Sequence, residues 1–386
     1  MRKFFAFLIL SSLCQAQQWS MGYYLPFAFW GNPAIPVSDI QWNGLTHVMH
    51  TAAMVNADGT LDLTNYDIST SAAELVAAAH SHSVKVLIDL QCPGTCGDAM
   101  ANHLSAFVTN LMTVVNTYGY DGVSIDWEGE TFVVGSGDGA LLMSWAAAMR
   151  TALGSKLLFA AAITTNSTYW GTAHTSFDRV NVMTYDNILI PWGPYAGFNC
   201  PLYFPTAYGS EDEWKNDYIL AGVPAGKIGL GVPFYGVQFT GGVLNSDHAQ
   251  GISGPYQAWQ SGQAPIPSVS AAGPSGRMPY NAIAPLVTSG NYNWDAPAAV
   301  PYLSHIGATT PDYWYLSYDN PQSVAAKVQY VIANKLGGWS DYYIGADYSA
   351  VAPHQPLLDA VALSLASGAG AGAHSAGMAM SAGGLH

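Results

Sequence analysis

Tyr120-Asp121-Gly122-Val123-Ser124-Ile125-Asp126-Trp127-Glu128 is the segment around which the chain makes sense. After the glycine, apolar Val123, Ile125 and Trp127 alternate with Ser124, Asp126 and Glu128. Side chains leave a strand on opposite faces with period two, so one face is apolar and the other ends in two carboxyl groups. At about 3.3 Å per residue, Asp126 and Glu128 lie ~6–7 Å apart, within reach of each other. An amphipathic strand with its polar face in water would carry the same pattern. Position favours a buried parallel strand, because helical segments precede (Ala101 to Tyr118) and follow (Ala140 to Leu153). Acids at the C-terminal end of such a strand cost free energy and read as a site.

Outward from this segment, strand-like and helix-like stretches alternate. The predicted strands are Trp19 to Leu25, Leu45 to Val55, Val84 to Leu90, Gly122 to Glu128, Lys156 to Thr165, Val180 to Asp186, Lys227 to Phe234 and Gly337 to Asp347. Eight alternations predict an α/β fold, a (β/α)8 TIM barrel, with its site at the strands' C-terminal ends. The long interval after strand seven, rich in Gly, Pro and aromatics, predicts a small inserted α+β subdomain over 237–316, a wall beside the barrel mouth.

Residues 1–16 carry Arg2 and Lys3, an apolar run and Cys14-Gln15-Ala16, the pattern of a secretory signal peptide cleaved after Ala16. The barrel is expected over 17–366. The Gly/Ala/Ser-rich residues 367–386 read as a flexible tail. Charged residues make up 9% of the chain and the formal charge is −14, more negative once Arg2 and Lys3 leave. Nucleic acid and anionic membranes are therefore excluded as partners, and a secreted monomer, extracellular or periplasmic, is expected. Cys92-Pro93-Gly94-Thr95-Cys96 can close a small loop, leaving Cys200 odd. No His or Cys spacing suits a metal, so no cofactor is expected.

Several motifs carry a resemblance. Asp121 to Glu128 resembles the D-x-x-D-x-D-x-E signature of glycoside hydrolase family 18, the chitinase family. Met183-Thr184-Tyr185-Asp186 resembles its M-x-Y-D, Gly231-Val232-Pro233-Phe234-Tyr235-Gly236 its strand seven, and Leu336-Gly337-Gly338 the start of its strand eight. The matches run in the family's order over roughly Trp19 to Ala366. The resemblance implies a secreted enzyme that cleaves β-1,4-linked N-acetylglucosamine polymers such as chitin, with retention and without an enzyme nucleophile. Glu128 would be the general acid, its proton favoured by a neighbouring Asp126 carboxylate. Asp126 would orient the substrate's acetamido N–H, and Tyr185 would donate to the acetamido oxygen. Asp186, Tyr23, Met183, Trp192, Tyr342 and Ser124 would complete the substrate site.

The chain departs from the family at three places. Ser124 stands where the family commonly has Asp, and it could donate to Asp126; restoring that acid by Ser124→Asp is expected to leave activity equal or higher. Asp89-Leu90-Gln91-Cys92-Pro93 replaces S-x-G-G-W and brings an acid toward the barrel interior. Tyr342 replaces the floor tryptophan. Two other functions stay open: an endo-β-N-acetylglucosaminidase acting on glycans or cell-wall polymer, and a weakly active or non-catalytic chitin-binding lectin.

Overall fold

Where the sequence places apolar runs between helices, eight parallel strands form: Trp19–Tyr24, His47–Val55, Lys85–Gln91, Gly122–Asp126, Leu157–Ile163, Arg179–Met183, Ile228–Pro233 and Gly338–Ile344. The computed structural model describes residues 18–92, 94–128, 137–186, 195–204, 209–245, 250–267 and 276–367. Each strand pairs in parallel with the next, and the eighth returns to the first, closing the barrel. Runs such as Leu157–Ile163 are buried over most of their length because helices cover the outer face. Phe107 and Trp145, on neighbouring helices Leu104–Tyr118 and Gly137–Leu153, are fully buried with ring centroids 5.8 Å apart. Burial of Phe107 alone contributes about 2–3 kcal/mol. The expected leader at 1–16 and tail beyond Ser367 lie outside the described residues.

The fourth strand ends at Asp126, two residues sooner than its alternation suggests, so Glu128 stands in the loop beyond it. The helical stretch before that strand is two helices, Thr95–Asn102 and Leu104–Tyr118, broken at His103 (φ −134°). Pro93 and Gly94 disguise the start of the first of them. A Cys92–Cys96 disulfide joins that start to the end of strand three, and Cys200 is free and buried. Two more helices, Ser167–Ala173 and 356–367, carry too little periodic pattern to be read from sequence.

Between the seventh and eighth barrel strands lies a second, antiparallel sheet. Its order is Ile266–Pro267, Tyr235–Thr240, Trp314–Ser317, Val300–His305 and Tyr292–Asp295, with Arg277–Pro279 also on Tyr235–Thr240. Its own core includes Phe198, Tyr235, Phe239 and Tyr315, and half-buried Trp30, Tyr185 and Tyr342 pack against it. Those three also belong to loops and strand ends at the barrel mouth, so the sheet packs against residues of that mouth.

Candidate active site

The C-terminal ends of the strands bring together most of the residues the sequence singles out. Asp126 closes strand four and Met183 closes strand six, both half-buried. Tyr23 from strand one and Tyr342 from strand eight meet with ring centroids 5.5 Å apart. Tyr185 lies 5.9 Å from Tyr342 and 6.1 Å from Tyr235, completing a floor of four tyrosines. Gly231 makes room for it: a Cβ there would stand 2.6 Å from the Tyr185 ring. Burial raises the pKa of Tyr23, and the Asp89 and Asp126 carboxyls add to the effect; burial likewise raises Tyr185. Both phenols therefore remain protonated donors near neutral pH.

Asp186 follows strand six in the left-handed region (φ 60°), a conformation that Asp tolerates better than most residues. Its N–H donates to Asn199 Oδ1 at 3.2 Å. Its Oδ2 accepts from Arg277 Nη2 at 2.6 Å and Nε at 3.1 Å. The Arg277 guanidinium also lies 5.7 Å from the centre of the Trp30 ring. Trp30 in turn packs on Tyr235 at 4.8 Å and Tyr342 at 6.3 Å.

Asp89, Asp126 and Glu128 converge, and the cation that reaches them, Arg277, is itself paired with Asp186. Asp126 Oδ1 has no access to solvent and no hydrogen-bond partner among the described residues. Burial raises the Asp126 pKa well above the carboxylate range, and the Glu128 and Asp89 charges push it further. Glu128 is exposed by surface area, yet the protein crowds it enough for burial to be the largest cause lifting its pKa. The Asp186 carboxylate adds to that rise and Arg277 opposes it. The expected repulsion between Asp126 and Glu128 is thus felt by Asp126, while Glu128 is set mainly by burial and Asp186. Chemically, an exposed carboxyl whose pKa is raised above the usual range can serve as a general acid.

Ser124 is fully buried and its Oγ has no hydrogen bond of normal geometry among the described residues, so the donation to Asp126 expected from sequence is not formed and the side chain has no surface on the mouth. Trp192 lies outside the described residues. Asp121 anchors the strand start, its Oδ2 accepting from Val86 N–H at 2.8 Å and lying 2.8 Å from His80 Nε2. Trp127 packs against the main core on the helix side, within 3.8 Å of a Cβ built on Gly97. Arg277 and Trp30 escape the sequence reading. Signals existed for both: Arg277 is the sole Arg or Lys between Lys227 and Lys327, and Trp30 follows strand one at the catalytic end.

Comparison with known proteins agrees with this fold. The model of the family "Glycosyl hydrolases family 18" matches residues 20–347. A class V chitinase of Arabidopsis thaliana is 28% identical over 338 residues, 81% of this chain and 83% of that protein. Chitinase A1 of Niallia circulans is 28% identical over 64% of this chain and 38% of its own length. Among solved structures, a chitinase of Rhizomucor miehei superposes with TM-score 0.70 at 25% identity, covering 90% of this chain and 100% of that one. A mutant class V chitinase of Nicotiana tobaccum in complex with NAG4 gives 0.72 at 21% identity, covering 90% and 99%. A chitinase-like agglutinin of Robinia pseudoacacia gives 0.70 at 23%, covering 89% and 99%, so the same fold also occurs in a protein named for agglutination.

Proposed function

The chain belongs to glycosyl hydrolase family 18, and on that premise we propose that it cleaves β-1,4-linked N-acetylglucosamine polymers with retention of configuration, the substrate's own acetamide acting as nucleophile. Glu128 protonates the glycosidic oxygen as the bond to the leaving sugar breaks. The acetamido carbonyl oxygen attacks the anomeric carbon, giving an oxazolinium ion that water then opens, returning the proton to Glu128. Asp126, ionised at that moment, accepts a hydrogen bond from the acetamido N–H and stabilises the positive charge. Tyr185 donates to the acetamido oxygen, and Tyr342 with Tyr23 forms the surface beneath the sugar.

The observation that carries this reading is the pairing of Glu128, exposed at the mouth with its pKa raised chiefly by burial, with Asp126, whose Oδ1 is enclosed beside a ring of phenols. Retention of Glu128 speaks against a purely lectin-like role. Proton NMR of the first products from chitotetraose tests the mechanism. New reducing ends are expected as the β-anomer. Initial release of the α-anomer would mean direct attack by water and would remove the acetamide from the scheme. Secretion and a monomeric state remain part of the same proposal, checked by the N-terminus and mass of the protein recovered from outside the cell.

A further inference from the structure

Asp89 is a buried acid that the mechanism above does not use. It lies in strand three directly opposite Ser124 of strand four, with Gln91 opposite Asp126 one step higher. Partners in a parallel ladder point to the same face, so Asp89, Ser124 and Asp126 share one patch of the barrel interior. Asp89 is 1% exposed and Ser124 0%. Asp89 Oδ2 accepts from Thr51 Oγ1 at 3.1 Å. Asp89 Oδ1, Ser124 Oγ and Asp126 Oδ1 are all buried without a hydrogen-bond partner among the described residues.

Unpaired buried polar atoms are costly, and two buried carboxylates side by side cost more still. Here one proton repairs the patch. Neither bond is formed as the side chains stand, but after small side-chain rotations a protonated Asp89 would donate to the Ser124 hydroxyl, which would donate to an ionised Asp126. The opposite arrangement, with Asp126 protonated and Asp89 ionised, makes the same two hydrogen bonds in reverse. We propose that Asp89 is the proton partner of Asp126, the two carboxyls sharing a single proton through Ser124 so that Asp126 can become ionised when charge develops on the sugar. Moving it takes one hop from Asp126 to the hydroxyl and one from the hydroxyl to Asp89, and Ser124 ends as it began.

Burial lifts the Asp89 pKa to about 6, with Thr51 and the nearby Ser124 hydroxyl offsetting part of the rise, although no hydrogen bond of normal geometry joins Ser124 to it. The titratable groups facing this patch are Tyr23 from strand one, Tyr342 from strand eight, Tyr185 after strand six and Glu128 above. None is a cation. Asp89 is thus a positioning residue for charge: it touches Asp126's proton and not the substrate. The inference rests on the activity proposed above and fills in its proton inventory.

The sequence alone predicts that Ser124→Asp keeps or raises activity. With Asp89 already opposite, the expectation reverses, because three carboxyls would crowd one patch. The test is kcat, KM and the pH profile on chitotetraose for wild type, Asp89→Asn, Ser124→Asp and the exchanged pair Asp89→Ser with Ser124→Asp. Asp89→Asn is expected to lower kcat about 100-fold, with KM little changed and the pH profile shifted. Ser124→Asp alone is expected to lose activity, and the exchanged pair to recover to within about tenfold of wild type, a non-additivity that a packing role would not produce. Wild-type kcat and pH profile in Asp89→Asn, or no recovery in the exchanged pair, would overturn the proposal. Carbon-13 NMR titration of the aspartate carboxyls in wild-type protein decides the matter even if a variant fails to fold or wild type turns over no substrate. Asp89 and Asp126 responding to the same protonation steps supports sharing, and independent single-step titrations refute it; absent wild-type turnover alone counts against the activity.

Discussion

Two clusters of acids among the described residues are built on opposite plans, one wholly buried and one opening to solvent at Glu128. Behind the mouth, Lys327 on helix Pro321–Ala333 lies 2.7 Å from Asp319 Oδ1 and 3.7 Å from Glu211 Oε1, and donates to the Cys200 carbonyl at 2.7 Å. Cys200 Sγ donates to Glu211 Oε1 at 3.0 Å. The helix holding Lys327 in place begins with a reciprocal capping box between Asn320 and Ser323 and Pro321 in its first turn. At the mouth, Asp89, Asp126 and Glu128 have no cation inside the group, since Arg277 is committed to Asp186 at the rim. A cation fixes charge and so serves structure. At the mouth, burial and neighbouring acids raise Asp126 and Glu128 instead, the direction that acid catalysis requires.

Removing one acid from each plan should therefore fail in different ways. Asp126→Asn is expected to lower kcat by about 10²–10³-fold, as loss of a charge-stabilising contact does, while the fold keeps or gains stability at pH 8. A melting temperature well below wild type would place Asp126 in the structural class and break the contrast. Lys327→Met is expected to cost about 3–5 kcal/mol, because Asp319 and Glu211 are left buried without their cation. Denaturant unfolding measures this. Activity per folded molecule should stay within a few-fold, and a large specific loss would mean the rear cluster reaches the chemistry through Cys200, Asn199 and Asp186.

The effect of pH is smaller and sharpens the same contrast. Burial raises Asp89 and Asp347 to about 6 and Glu211 to about 7. Between about pH 4 and 7 the folded chain therefore holds protons that the unfolded chain has released, so these groups stabilise less as pH rises. Burial lowers His47 to about 4 and His50 to about 3, and these two act in the opposite sense up to their unfolded value near 6.5. The acids are more numerous, since Asp126 and Asp341 are raised as well, chiefly by burial. The melting temperature is expected to fall from pH 5 to pH 8, less steeply in Asp126→Asn. A rise over that range would show that the histidines dominate.

Much of this was legible in the sequence. The barrel could be read because a parallel strand buried on both faces leaves a short apolar run between helical patterns; period two placed Asp126 at the strand's end but carried Glu128 onto a strand that stops two residues short of it. Pairings across the fold could not. Asp186 and Arg277 are 91 residues apart, and nothing local links them. The register that sets Asp89 against Ser124 is a property of the closed sheet, so each looked like an isolated departure from the family's pattern. Lys327 lies on a helix face whose burial depends on the antiparallel sheet and the loop bearing Cys200, and a lysine there reads as solvated until both are in place.

On the proposed mechanism, the acids at the mouth deliver one proton from Glu128. Turnover of chitotetraose by wild type and by Glu128→Gln, with melting temperatures compared to show both folded, tests it most directly. The account predicts hydrolysis by wild type and a loss of about 10³-fold or more in the variant, with oligosaccharide still bound. Equal turnover in the two proteins, or binding without turnover in both, would contradict it.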